Sequence, residues 1–211
     1  MNNYIFCISL LVVLFSCQHE SIQTRTLPSC VNTQERIMSR DTGFSVFNKG
    51  LQEKGYAQAI KINKPWEASI SAILIQEQDI IVIIFKTYYT TEIYANNISE
   101  YITIEFFYNK IDKGCFRLEK NRPTDSSAQL VRIRYFSTQG DLTIDRYLVD
   151  EENDDSYLEI ENIDLENGKI SGRFMVTFLR ESVHTPYTFN RPIVRFFNGY
   201  FEADLEIFTV G

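Results

Sequence analysis

Glu202, Asp204 and Glu206 alternate through "YFEADLEIF", and alternate residues of a strand share one face. Two carboxylates held about 5–9 Å apart are what glycoside hydrolysis needs, one as acid and one as nucleophile or base. The same alternation is the ordinary wet face of a half-buried strand, and that is the stronger reading here. His184 lies in "ESVHTPYTF" beside Ser182 and Thr185. A hydrolase triad would need it as base, yet no G-x-S-x-G elbow presents a serine. A loop histidine before Pro186 is expected instead. The acidic run "DEENDD", Asp150 to Asp155, lacks the D-x-D-x-D-G spacing that turns carboxylates toward one calcium ion. A solvated loop explains it better. Histidines number two, and His19 sits close to the amino terminus, so neither a metal site nor a cofactor is expected. No catalytic constellation emerges, and the chain reads as a non-enzyme.

The other reactive residues are four cysteines, at 7, 17, 30 and 115. Tyr4 to Phe15, "YIFCISLLVVLF", is apolar but shorter than the roughly 20 residues a membrane-crossing helix requires. It fits the apolar core of a secretory signal, with Ser16 as the small residue before a cut, although "MNNYIF" carries no lysine or arginine. Leu14, Phe15, Ser16 and Cys17 resemble the lipobox of bacterial lipoproteins. That resemblance implies a signal peptide over residues 1–16 and a diacylglyceryl group on the Cys17 sulfur. Residues 17–42 then form a lipidated tether to the membrane. Gln18, where an aspartate would retain the protein in the inner membrane, is similar to outer-membrane sorting, with the domain facing the periplasm or the cell surface. Each buried methylene contributes about 0.8 kcal/mol, so two or three chains anchor far more firmly than one.

Cys7 would leave with the signal, and Cys17 would carry lipid. Cys30 and Cys115 remain, in a compartment that permits oxidation. A bridge between them would close a long loop, worth on the order of 4 kcal/mol by chain entropy. Two unpaired thiols are the alternative, because spacing alone does not give a distance.

All charged side chains lie beyond residue 16, so the net charge of −7 belongs wholly to the mature chain. This argues against nucleic acid, whose phosphates demand a basic face, and against electrostatic adhesion to anionic headgroups.

Positioning any of these groups falls to strands. Residues 43–211 alternate apolar and polar nearly throughout. In "AQAIKINKPWEASISAILI" a strand ends near Ile62, a turn falls at Asn63 and Lys64, and Trp66, Ala68, Ile70, Ala72 and Leu74 then share a face. "DIIVIIFKTYY" is apolar on both faces, as in a strand covered on both sides. "YITIEFFY" and "AQLVRIRYF" alternate. Gly140-Asp141 is a turn and Asn167-Gly168 a hairpin turn, and Ile170, Gly172, Phe174, Val176 and Phe178 face one way. Asn198-Gly199 marks a turn or a bulge in the last strand. Arg132, Arg134 and Arg173 are placed to oppose acids across strands. Most of the aromatics in "TYY", "EFFY", "RFF" and "GYF" are expected inside, with one strip left outside.

"AIKINKPWEAS", "IENIDLENGKISGRFMVTFL" and "IVRFFNGYFEADL" resemble the opening and closing patterns of small uncharacterised β-rich lipoproteins of Bacteroidota. Lys64 stands where that pattern has glycine. The resemblance implies anchorage and fold, and no reaction. Strand count and turn spacing give a single all-β domain of about ten or more strands, an antiparallel sandwich or a flattened lipocalin-like barrel. The expected role is a lipid-anchored envelope module binding a glycan, an apolar small molecule or an envelope protein. A structural or assembly accessory is the alternative, and a glycan hydrolase the least favoured.

Overall fold

A computed structural model describes residues 30, 54–89, 98–120, 130–152, 155–183 and 191–209. Cys17, His19, the signal and tether segments apart from Cys30, and His184 lie outside the described residues, as do 153 and 154 of the acidic run. Ten strands follow in order: β1 (Gly55–Lys61), β2 (Lys64–Ile75), β3 (Ile80–Tyr89), β4 (Ile98–Phe107), β5 (Gly114–Glu119), β6 (Val131–Gln139), β7 (Leu142–Val149), β8 (Tyr157–Asp164), β9 (Lys169–Val183) and β10 (Ile193–Phe208). A 3-10 turn, Gln76–Gln78, joins β2 to β3. The chain is all-β among the described residues.

The turns follow from residues that tolerate a left-handed backbone. Gly140 and Gly168 both have φ 59°, as their hairpins require. Asp164 accepts from the backbone and side-chain nitrogens of Asn167, fixing the β8–β9 turn. Between β1 and β2 the pair Lys61↔Lys64 closes a two-residue loop, so the turn is Ile62-Asn63, one residue earlier than the sequence suggests. Both residues have positive φ. Asn63 accepts this readily. Ile62 is a β-branched outlier, held there by its own N–H donating to the Arg195 carbonyl at 3.1 Å.

All ten strands belong to one sheet, and its pairings run full circle. Antiparallel ladders dominate, with two short parallel seams, β10 on β2 and β5 on β6. These seams reveal how ten strands make an eight-stave ring. At one end the circle runs β1-β2-β3-β4-β6-β7-β9-β10. Toward the other end β1 and β7 stop. There β10 meets β2 directly, and the β5–β8 pair fills the gap between β6 and β9. Among the described residues every strand is paired on both sides over at least part of its length, so the sheet closes on itself, and a ring of about eight strands is just wide enough for side chains to fill.

Side chains do fill it. Every alternate residue expected on the Trp66 face and on the Ile170 face is buried. Phe85, Phe106, Tyr135, Tyr147, Phe174, Phe178, Phe196 and Phe201 are fully enclosed. β3 is the exception to two-sided burial: Ile81, Ile83 and Phe85 are inside, but Val82 and Ile84 on its outer face are only half-buried. Asn198 (φ 52°) opens a bulge, so β10 is one long bent strand rather than a hairpin.

Gly172 makes room for the core. A Cβ there would lie 2.2 Å from the Glu159 carbonyl oxygen and 2.8 Å from the Phe201 ring. Gly172→Ala is expected to destabilise by about 1–3 kcal/mol through overpacking. Chemical unfolding measures it, and an unchanged midpoint would show that β8 and β9 part more easily than their register implies.

Candidate functional site

Two features stand apart from an apolar barrel with a charged exterior. The first is a buried polar layer at the end ringed by β1 and β7. Thr87, Glu100, Ser137 and Asp145 occupy one cross-strand row through β3, β4, β6 and β7, and all four are buried. Lys61 at the end of β1 and Arg180 on β9 bring cations to meet them. The Lys61 ammonium donates to Glu100 Oε1, which also accepts from the Tyr135 hydroxyl. Lys61 Nζ donates to the same hydroxyl at 2.9 Å and lies 5.4 Å from the Tyr135 ring centroid. Arg180 sits 3.5 Å from Asp145 and donates to the Tyr147 hydroxyl at 3.2 Å. That hydroxyl donates in turn to the Arg191 carbonyl at 3.0 Å.

The layer carries two positive and two negative groups. Burial lowers the Lys61 pKa, and Glu100 opposes the shift. Burial pushes the Tyr147 phenol up to about 12, against the pull of Arg180. A balanced layer of this kind caps a hydrophobic lumen at modest cost, because each buried charge has a partner. It binds its own members and leaves the chemistry of a substrate unaddressed.

The second feature is on the outer wall at the same end. The row Ser69, Lys86, Tyr101, Phe136 and Arg146 runs across β2, β3, β4, β6 and β7. Tyr101 and Phe136 stack with centroids 5.0 Å apart. Lys86 Nζ lies 4.7 Å from the Tyr88 ring centroid and 5.2 Å from that of Tyr101, within cation–π range. Hydrogen bonding to Tyr88 leads the causes that raise the Lys86 pKa. Tyr88 is 41 % exposed. One row along, Leu148, Leu179 and Ile193 are cross-strand neighbours on β7, β9 and β10. Leu179 and Ile193 are exposed, the latter at 57 %. Phe136 lies diagonal to Leu148, close enough for large side chains to meet. Apolar and aromatic side chains thus recur on six strands of this wall, with Lys86 between Tyr88 and Tyr101, Arg146 opposite Phe136 and Arg134 opposite Leu148.

The residues singled out by sequence fall elsewhere. Asp204 pairs with Lys169, Glu206 with Lys54, and Tyr200 donates to Glu202 at 3.1 Å. This is an ion-paired wet face. Arg132 and Arg134 both reach Glu105, and Arg173 reaches Glu161. In the acidic run, Glu151 meets Lys120 and Asp155 meets Arg195. Among the described residues no group of three His, Cys, Asp or Glu side chains is arranged to hold a metal ion, and no helix is long and apolar enough to cross a membrane. Cys30 and Cys115 form a disulfide, with Cα atoms 5.7 Å apart.

Lys61, Glu100, Asp145 and Arg180 were missed by sequence reading. Each had a signal: a charge standing in phase with buried neighbours, as in Ala57, Ala59, Lys61 or Ile98, Glu100, Ile102. Compared with known proteins, the chain matches no family model, no curated protein and no solved structure.

Proposed function

We propose that this chain is a lipid-anchored module of the bacterial outer membrane that binds an envelope protein on the outside of its barrel. Acylated Cys17 supplies the anchor, and the domain faces the periplasm or the cell surface. The observation that carries the reading is the band of apolar and aromatic side chains from Tyr88 through Phe136 to Ile193. Aromatic residues and arginine are enriched at protein interfaces, and large exposed apolar groups clustered on one wall and rimmed by polar ones mark interaction sites. The filled lumen argues against an enclosed apolar small molecule. The wall curves outward, which suits a broad macromolecular partner better than a small ligand that needs a concave pocket. A glycan is the second reading, because Tyr88 with Lys86 could stack on a sugar ring.

The test places a photo-crosslinking residue at 179 or 193 in intact cells, with one at 202 on the ion-paired face as control. Adducts from 179 and 193 alone, removed by protease, support an envelope protein. Protease-resistant adducts removed by glycosidases favour the glycan. No adduct beyond the control level ends the binding reading. Ile193→Glu is expected to weaken a protein adduct by at least about tenfold, since an anchor residue contributes about 2 kcal/mol. Mass spectrometry of Cys17 checks the lipid independently.

A further inference from the structure

Inward Phe116 and Leu118 set the phase of β5, so Cys115 and Arg117 face outward. The bridge therefore pins Cys30 to the barrel's outer wall, where Cys30 is 6 % exposed. Cys115 pairs with Glu159, and Glu159 with Arg173, which places the attachment in the half of the barrel opposite the polar layer. From Cys17 to Cys30 the chain advances thirteen residues. Fully extended, thirteen residues span about 45 Å. From Cys17 to Lys54, where the barrel wall begins, it advances thirty-seven, about 125 Å at full extension.

We infer that the Cys30–Cys115 disulfide sets the reach of the tether. It moves the point of attachment from residue 54 to residue 30 and cuts the greatest distance between barrel and lipid nearly threefold. The inference rests on the reading that Cys17 carries the lipid. Its consequence is positional. A partner bound on the outer band must lie within the shorter reach, and opening the bridge would extend the search outward without altering the band itself.

The experiment uses the lipidated, full-length mature protein on phosphatidylcholine vesicles. A site-specific protease sequence is inserted between residues 42 and 50. With the bridge intact, cutting there should leave the barrel on the vesicles, held through Cys30, and a dithiol reductant should then release it. Release by cutting alone overturns the inference. A second measurement needs no cut: energy transfer from Trp66, the single tryptophan, to dansyl-labelled headgroups. Transfer should fall at least about twofold when Cys30 and Cys115 are both serine, in line with the longer contour. It should fall likewise when about two dozen Gly/Ser residues are inserted near residue 22 with the bridge intact. If the insertion lowers transfer and the double serine variant, still folded by its Trp66 emission, does not, the reach claim fails while the anchor stands. If neither form floats with vesicles, the lipid reading fails and takes the reach claim with it.

Discussion

Glu100→Ala is expected to cost about 3–5 kcal/mol of folding stability, because it leaves the Lys61 charge buried without its carboxylate. Glu100 is 1 % exposed and Lys61 is 8 % exposed, so water offers little compensation. Two controls separate this from simple loss of packing. The pair Lys61→Met with Glu100→Leu should recover most of the loss, since well-packed apolar groups of similar size replace a buried ion pair at little or no cost. The pH dependence should also carry a definite sign. Burial already lowers the Lys61 pKa, and removing Glu100 removes its largest opposing influence. The unfolded chain then holds the proton more tightly than the folded variant does. Stability of Glu100→Ala must therefore rise as pH climbs from the lowered folded pKa toward the ordinary value of 10.5. Denaturant unfolding across pH tests all of it. A loss under about 1 kcal/mol for Glu100→Ala, or a double variant no better than the single, would show that Lys61 keeps its charge satisfied by Tyr135 and solvent.

The strands were legible because alternation is a local property. Trp66 to Leu74 and Ile170 to Phe178 show it without reference to any partner, and both faces are buried as the pattern requires. Asn167-Gly168 and Gly140 were legible for the same reason, each needing only its own backbone conformation. Ring closure was not. It depends on β10 pairing both β1 and β9 and on β7 pairing both β6 and β9, contacts that no short window contains. The polar layer was half legible. A charge in phase with buried residues is visible at Lys61 and at Glu100, but 39 residues separate them, and nothing local says that one answers the other. The outer aromatic strip was expected as a class, yet its membership depended on register. Tyr101 meets Phe136 only because β4 and β6 pair as they do.

Trp66→Ala is the second large effect, at about 3–5 kcal/mol for emptying an aromatic site in a packed core. Trp66 stands edge-on to three rings at once, those of Phe85, Phe174 and Phe196, with centroids 6.3, 6.4 and 5.0 Å away. Those rings come from β3, β9 and β10, so one indole ties both sides of the ring together across the lumen. Filled lumen and closed sheet depend on each other here: without the indole the surrounding phenylalanines face a void too apolar to hold water. Trp66→Phe should cost far less than the alanine change. It keeps a ring, and it removes an indole N–H that is buried with no hydrogen-bond acceptor among the described residues, an arrangement that itself costs stability. Because the sole tryptophan is lost, unfolding must be followed by circular dichroism rather than by emission. An alanine variant within about 1 kcal/mol of the parent would mean that the lumen collapses around the gap, and the barrel would then be far more compliant than its interlocked rings require.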